Sequence, residues 1–210
     1  MTRVAVLASG AGSNLQAIVD ACDPGRGGDL ARRAMHVCVV VSDRGEAGAL
    51  ERARAAGIPA IALPRNPGEP RQDYDARLAA AVARYAPDWI VLAGFMRLLS
   101  MSFLGRFPKR VVNLHPALPG EFPGTQAIER ALAEARRGLR DHTGVMVHLV
   151  PDEGVDNGPV LNMVTVPIQP GDTLDTLTTR VHAAEHQLLV ATLAMLATPA
   201  ATQEDHAQPR

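Results

Sequence analysis

Five short apolar runs, each followed by a stretch of helical periodicity or an apolar loop, confine this chain to a narrow set of folds. Arg3–Ser9 reads as a buried strand, then Gly10–Asn14 as a tight loop. A helix follows, with Leu15, Ile18, Val19 and Cys22 on one face, broken by Asp23–Gly28. The pattern repeats in strand Met35–Val41, closed by Ser42-Asp43, and a helix from about Glu46 to Ala56 that stops at Gly57. Next come strand Ile58–Leu63, a proline loop, a helix from about Arg71 to Tyr85, and strand Trp89–Gly94. Met96–Phe107 is an apolar, partly helical connection to strand Val111–His115. Strands without polar alternation are covered on both faces, and their alternation with helices predicts an α/β fold with a mostly parallel sheet.

The second half is less regular. Ile128, Leu132 and Ala135 mark a helix, and Arg136–Arg140 reads as a solvated turn, with His142 and Thr143 also as turn residues. Val145–Val150 is a sixth strand. Pro159–Ile168 is a seventh, placed at a sheet edge by Pro167. A long amphipathic helix carries Leu174, Leu177, Val181, Ala184 and Leu188 on one face. The expectation is about seven strands with helices on both faces, in one domain over residues 1–198, with a disordered polar tail at 199–210.

Composition removes several function classes. A net charge of −1 supplies no basic surface for nucleic acid, and no apolar stretch is long enough to read as a membrane span. Cys22 and Cys38 are isolated, without metal-ligand spacing, and read as reduced thiols in a cytoplasmic protein. Lys109 is the only lysine and lies in Phe-Pro-Lys-Arg beside a loop, which leaves no lysine for a phosphate-loop NTPase or a Schiff-base enzyme.

Right-handed crossovers bring the loops after the parallel strands to one carboxyl edge, where open α/β sheets bind ligands. One of these is the exit from Val111-Val-Asn-Leu-His115 into Pro116–Gly124, a run with three prolines and two glycines. Strand alternation puts Asn113 and His115 on one face, and an amide beside an imidazole suits a carbonyl oxygen that gains charge while a proton moves. His115 needs a carboxylate. The loop Val150–Pro159 offers Asp156, with Asp152 and Glu153 as competitors that spacing does not separate. Gly12, Ser13 and Asn14 put backbone N–H groups at a helix start, suited to a phosphate or simply to a capped turn. Gly94–Ser100 fits either a flat aromatic ligand held near Arg97 or a buried helix start. His148 reads as structural and Glu185-His186 as an exposed pair.

In order along the chain, Val6–Ala17, Asp88–Ser100, Asn113–Leu118, Val147–Val150, Asp156–Val160 and Glu185-His186 resemble the glycinamide ribonucleotide formyltransferases, which are folate-dependent enzymes of purine synthesis. The resemblance runs to about residue 195 and implies a formyltransferase-like Rossmann-type fold. It implies formyl transfer from 10-formyltetrahydrofolate, as cosubstrate, to the amine of glycinamide ribonucleotide, with no metal. By the same resemblance, Asn113, His115 and Asp156 are catalytic, with a protonated His115 whose pKa Asp156 raises. Gly12, Ser13, Asn14 and Glu185 hold the nucleotide in the N-terminal half. Arg71, Met96, Arg97, Leu98, Leu99 and Asn113 line the folate side. The implied protein is a monomer or homodimer. Other folate-dependent formyl enzymes share the pattern, but the tRNA-directed ones add a domain and the hydrolases add one before the first strand. An NAD-dependent oxidoreductase would account for the glycine loop and Asp43 while leaving Asn113, His115 and Asp156 unused. The chain departs from the family at Pro151, which reads as an inserted residue, in the Pro119-Gly120-Glu121 loop, at Gln126 and at His182.

Overall fold

A computed structural model describes residues 1–197. The expected disordered tail and the last residue of the expected domain lie outside the described residues. Seven strands form one sheet: β1 Thr2–Leu7, β2 Met35–Ser42, β3 Ala60–Ala62, β4 Trp89–Leu92, β5 Val111–His115, β6 His142–Leu149 and β7 Val160–Pro167. Their spatial order is β3-β2-β1-β4-β5-β6-β7. The first five run parallel, whereas β6 is antiparallel to β5 and to β7. The mostly parallel sheet is therefore as expected, and β7 lies at the edge and ends at Pro167.

Helices cover both faces. On one side lie α1 (Ser13–Cys22), α2 (Asp29–Arg32), α3 (Gly48–Ala55), α6 (Ala127–Arg136) and α7 (Leu174–Leu196), packed on Val4, Val6, Val91, Val112 and Val147. On the other, α4 (Arg71–Ala83) and α5 (Met101–Leu104) pack Tyr74, Leu78, Val82 and Phe103 on Ala5, Leu7, Val39, Ile90 and Val111. Strand parity puts Asn113 and His115 on the side of Val111, facing α4 and α5 rather than the larger helical layer.

Three local expectations are corrected. His142 and Thr143 belong to β6, pairing with Pro167 and Val166. Gly144, next to them, serves a close approach, because a Cβ there would collide with the Leu118 side chain. Arg140 is not solvated. It donates to Glu134 at 2.8 Å and Glu121 at 2.9 Å, and its guanidinium lies 4.4 Å from the Phe122 ring centroid. Glu185 is buried rather than exposed, because α7 presses that turn against α1.

Candidate active site

β5 delivers Asn113 and His115, and the antiparallel neighbour places His148 directly opposite Asn113. A register shift between Val147 and His148 in the β6–β7 pairing marks a bulge at this point, a device that re-aims side chains beside sites. The loop from β6 to β7 then brings Asp156 back over the same face. Its carboxylate accepts from the Asn113 amide at 3.0 Å and from the Gly124 backbone N–H at 2.8 Å, and it faces Nδ1 of His115 at 3.3 Å. The choice among three acidic residues is thereby made: Asp152 accepts from Gly154 N–H at 2.8 Å, and Glu153 accepts from Met101 N–H at 3.0 Å, so neither meets His115.

Hydrogen bonding fixes the tautomers. Nε2 of His115 lies 3.1 Å from the Phe122 carbonyl, which can only accept, so Nε2 carries a proton. Nδ1 then donates to Asp156 only in the doubly protonated ring. Burial pushes the His115 pKa below its ordinary value, and Asp156 opposes this without overcoming it. The expected raised, protonated histidine is thus corrected for the ligand-free protein, because the ring is almost fully enclosed. Burial pushes the Asp156 carboxyl up, but His148, the Gly124 N–H and His115 together hold it below 3.8, so it is ionised at neutral pH. His148, read as structural from its buried strand, belongs to this cluster. Its Nδ1 donates to the Leu149 carbonyl at 2.8 Å, and its Nε2 lies 3.1 Å from the Asn113 amide nitrogen and 3.5 Å from the Asp156 carboxylate.

Beside the cluster opens a cavity of about 520 Å³, within the size range of small-molecule sites. Met96, Leu98, Leu99, Asn113 and Val150 are among its walls, and Met96 and Leu98 are 60% and 51% exposed at this site. Exposed apolar side chains around a concave surface favour a flat, partly apolar ligand. Arg97 also lines the cavity, but its guanidinium turns away, donating to Asp43 at 2.7 Å and lying 5.2 Å over the Tyr74 ring. Arg71 is not among the cavity walls; it pairs with Glu153 at the start of α4. Asp43 is also bonded by Ser9 Oγ at 2.6 Å, and Ser9 Oγ accepts from Met96 N–H at 2.9 Å. This carboxylate ties three loops together and is not free to take a ribose, which removes the main support for the oxidoreductase reading.

The glycine loop forms a second corner. Gly12 has φ of 79° and packs so closely on Ala49 that a Cβ would lie 2.7 Å from its Cα. α1 starts at Ser13 without a side-chain cap, leaving its first N–H groups for a ligand. Asn14 donates to Glu185 at 3.1 Å, while Asn14 Oδ1 and His186 Nε2 are buried without partners. Burial pushes the Glu185 carboxyl up, although Asn14 and the charge of His182 act downward. An open depression of about 650 Å³ adjoins, lined by Ser9, Gly10, Ala11 and Arg44–Gly48. The structure therefore groups the expected residues at two places: Asn113, His115 and Asp156 with Met96–Leu99, and Gly12–Asn14 with Glu185.

Comparison with known proteins shows the family and the fold. A family model described as formyl transferase matches residues 2–193. The phosphoribosylglycinamide formyltransferase of Escherichia coli is 41% identical over 186 residues, covering 89% of this chain and 82% of that protein. A trifunctional purine biosynthetic protein of Drosophila pseudoobscura is 40% identical over 198 residues, covering 94% of this chain but only 14% of that protein. The crystal structure of glycinamide ribonucleotide transformylase 1 from Symbiobacterium toebii superposes with a TM-score of 0.85 at 40% identity, covering 94% and 88% of the two chains.

Proposed function

Because this chain belongs to the formyl transferase family, we propose that it transfers the formyl group of 10-formyltetrahydrofolate to the amine of glycinamide ribonucleotide, a step of purine synthesis. The carrying observation is the convergence of Asn113 and His115 on Asp156, at 3.0 and 3.3 Å, beside a cavity of cosubstrate size. The apolar walls formed by Met96, Leu98 and Leu99 fit the flat ring of a folate, which when bound supplies the formyl carbon to the nucleotide's amine. Gly12, Ser13 and Asn14 hold the nucleotide's phosphate through the uncapped start of α1, and Glu185 receives its polar ribose or glycinamide portion. Arg71, at the rim, reaches an acidic end of the folate by exchanging its partner Glu153.

As the amine attacks, negative charge grows on the formyl oxygen. His115 Nε2–H rests on a neutral carbonyl, and an oxyanion is the stronger acceptor, so the proton donor shifts to it. The Asn113 amide supplies a second donor, exchanged from Asp156. As charge grows, the Asp156 carboxylate accepts Nδ1–H and favours the imidazolium that burial alone disfavours. The proton that the amine sheds reaches this His115–Asp156 pair through water; as the adduct collapses, the bond from the formyl carbon to N10 of the folate breaks and the same proton passes on to N10, so that tetrahydrofolate leaves neutral. His148 Nε2, 3.1 Å from the Asn113 amide nitrogen, helps to orient the amide. No covalent enzyme intermediate is needed. We place the reaction in the cytoplasm, where Cys22 and Cys38 remain thiols; among the described residues no helix is long and apolar enough to cross a membrane.

The test is formyl transfer by purified protein supplied with both substrates, comparing wild type with His115→Ala. The variant is expected to lose about 100- to 10,000-fold in rate. Folded wild-type protein that transfers no formyl group would overturn the proposal.

A further inference from the structure

Arg140 stands outside the catalytic cluster, yet its guanidinium donates to three acceptors. Nε donates to Glu134 at 2.8 Å, and Nη1 donates to Glu121 at 2.9 Å and to the His142 carbonyl at 3.2 Å. The same group lies 4.4 Å from the Phe122 ring centroid, and Arg130 lies 5.1 Å from it while donating to the Pro123 carbonyl at 2.9 Å. Phe122 is buried among Ala117, Ala127 and Ala131.

What this clamp holds is a strained backbone with two functional contacts. Phe122 has φ of 44°, in the left-handed region that a bulky side chain disfavours by on the order of 1 kcal/mol or more. Such a conformation persists only where its surroundings fix it. From it, the Phe122 carbonyl meets His115 Nε2 at 3.1 Å, and two residues later the Gly124 N–H meets Asp156 at 2.8 Å. One loop backbone therefore touches both members of the His115–Asp156 pair.

We propose that Arg140 is a positioning residue for the reaction. By clamping Phe122 and Glu121 it keeps the Phe122 carbonyl on His115 and the Gly124 amide on Asp156, and so decides which imidazole nitrogen carries the proton. This inference rests on the catalytic reading of His115 given above. The titratable groups facing that ring are Asp156 and His148, with Glu121 acting through its backbone. An arginine suits the task because its planar fork reaches two carboxylates and stacks on a ring at once, which a lysine does not.

The experiment has two readouts. Imidazole nitrogen NMR reports the His115 tautomer without any need for activity, and the pH profile of kcat reports how the pair is poised. Wild type is expected to show the Nε2–H tautomer. Arg140→Ala is expected to give an averaged tautomer, a loss of about 10- to 100-fold in kcat and a displaced pH profile. Arg140→Lys should recover only part of each effect. Phe122→Leu keeps an apolar plug but removes the stacked ring, so it should reproduce the displacement and serves if Arg140→Ala does not fold. Arg137→Ala, an exposed neighbour, should leave every readout unchanged. A folded Arg140→Ala or Phe122→Leu protein with the wild-type tautomer and an unmoved pH profile would overturn the inference, whatever its kcat. A wild type that transfers no formyl group while its tautomer responds to Arg140 would leave the positioning role standing and sink the functional reading alone.

Discussion

Replacing Asp156 by Asn changes almost no volume and removes one charge, which makes it a sharp probe of the cluster. The carboxylate has two acceptor oxygens in use, one on Gly124 N–H at 2.8 Å and one on Asn113 at 3.0 Å. An amide offers one acceptor and turns an NH₂ group toward the other donor. At least one charge-assisted bond, about 1.5–3 kcal/mol, is lost, and the mismatched donors leave a total cost of about 2–4 kcal/mol. For a chain of this length that is roughly 4–16 °C in Tm. The pH dependence follows from the direction of the shift. Asp156 titrates below 3.8 in the folded protein, so its stabilisation is present at pH above that ordinary value and is lost as pH falls through the lower folded pKa. The stability gap between wild type and variant should therefore be steady from about pH 5 to 7 and close in stronger acid. Catalysis should fall about 100- to 10,000-fold, because His115 loses the group that opposes its burial. Thermal unfolding against pH and the transfer assay across pH 5–9 together decide the matter. A variant with wild-type Tm and wild-type kcat throughout would refute the assigned role of this carboxylate.

Two further substitutions probe the proposed nucleotide corner. Gly12→Ala places a Cβ 2.7 Å from the Ala49 Cα at a φ of 79°, so stability should drop by about 1–3 kcal/mol in chemical denaturation. The nucleotide KM should rise about tenfold or more, while folate affinity, measured by calorimetry, stays put. Glu185→Gln should act oppositely on the two quantities. Burial raises the Glu185 pKa above its ordinary 4.5, so the folded protein holds that proton more tightly and loses stability as pH rises from 4.5 through the raised value. Glutamine does not ionise, so the ligand-free variant should be more stable at pH 7, on the order of 1 kcal/mol, yet bind the nucleotide more weakly. A variant less stable than wild type at pH 7 would contradict the burial argument.

The parallel half of the fold was legible because each strand is a short β-branched run closed by a loop. β5 was found to the residue, and β1, β2 and β4 to within about two. Asn113 and His115 were legible for the same reason, since parity alone puts them on one face. Asp156 could be preferred over Asp152 and Glu153 by resemblance but not by spacing, because the choice depends on how a ten-residue loop folds back over the sheet. His148 was read as structural for want of any local signal of a site. An imidazole in a buried strand is equally consistent with a satisfied core group, and only its antiparallel partner reveals Asn113. Arg140 escaped because its carboxylate partners lie 6 and 19 residues away, and an arginine-rich helix end resembles a solvated turn. Arg97 was expected to face the ligand, but the buried carboxylate of Asp43 draws its guanidinium away.

The hydrogen bond from Asn14 to Glu185 joins groups 171 positions apart. Synthesis is vectorial, so at typical elongation rates the glycine loop exists for roughly 10–30 s before its partner on α7 has been made. Throughout that interval the strands β1 to β4 can pair, but the nucleotide corner lacks one wall and the β5–β6 cluster is built only in the later part. A nascent or truncated chain that stops before α7 is thus expected to acquire much of its sheet while remaining inert toward the nucleotide. On the proposed reading of Gly12–Asn14 and Glu185, competence arrives late, with the last helix.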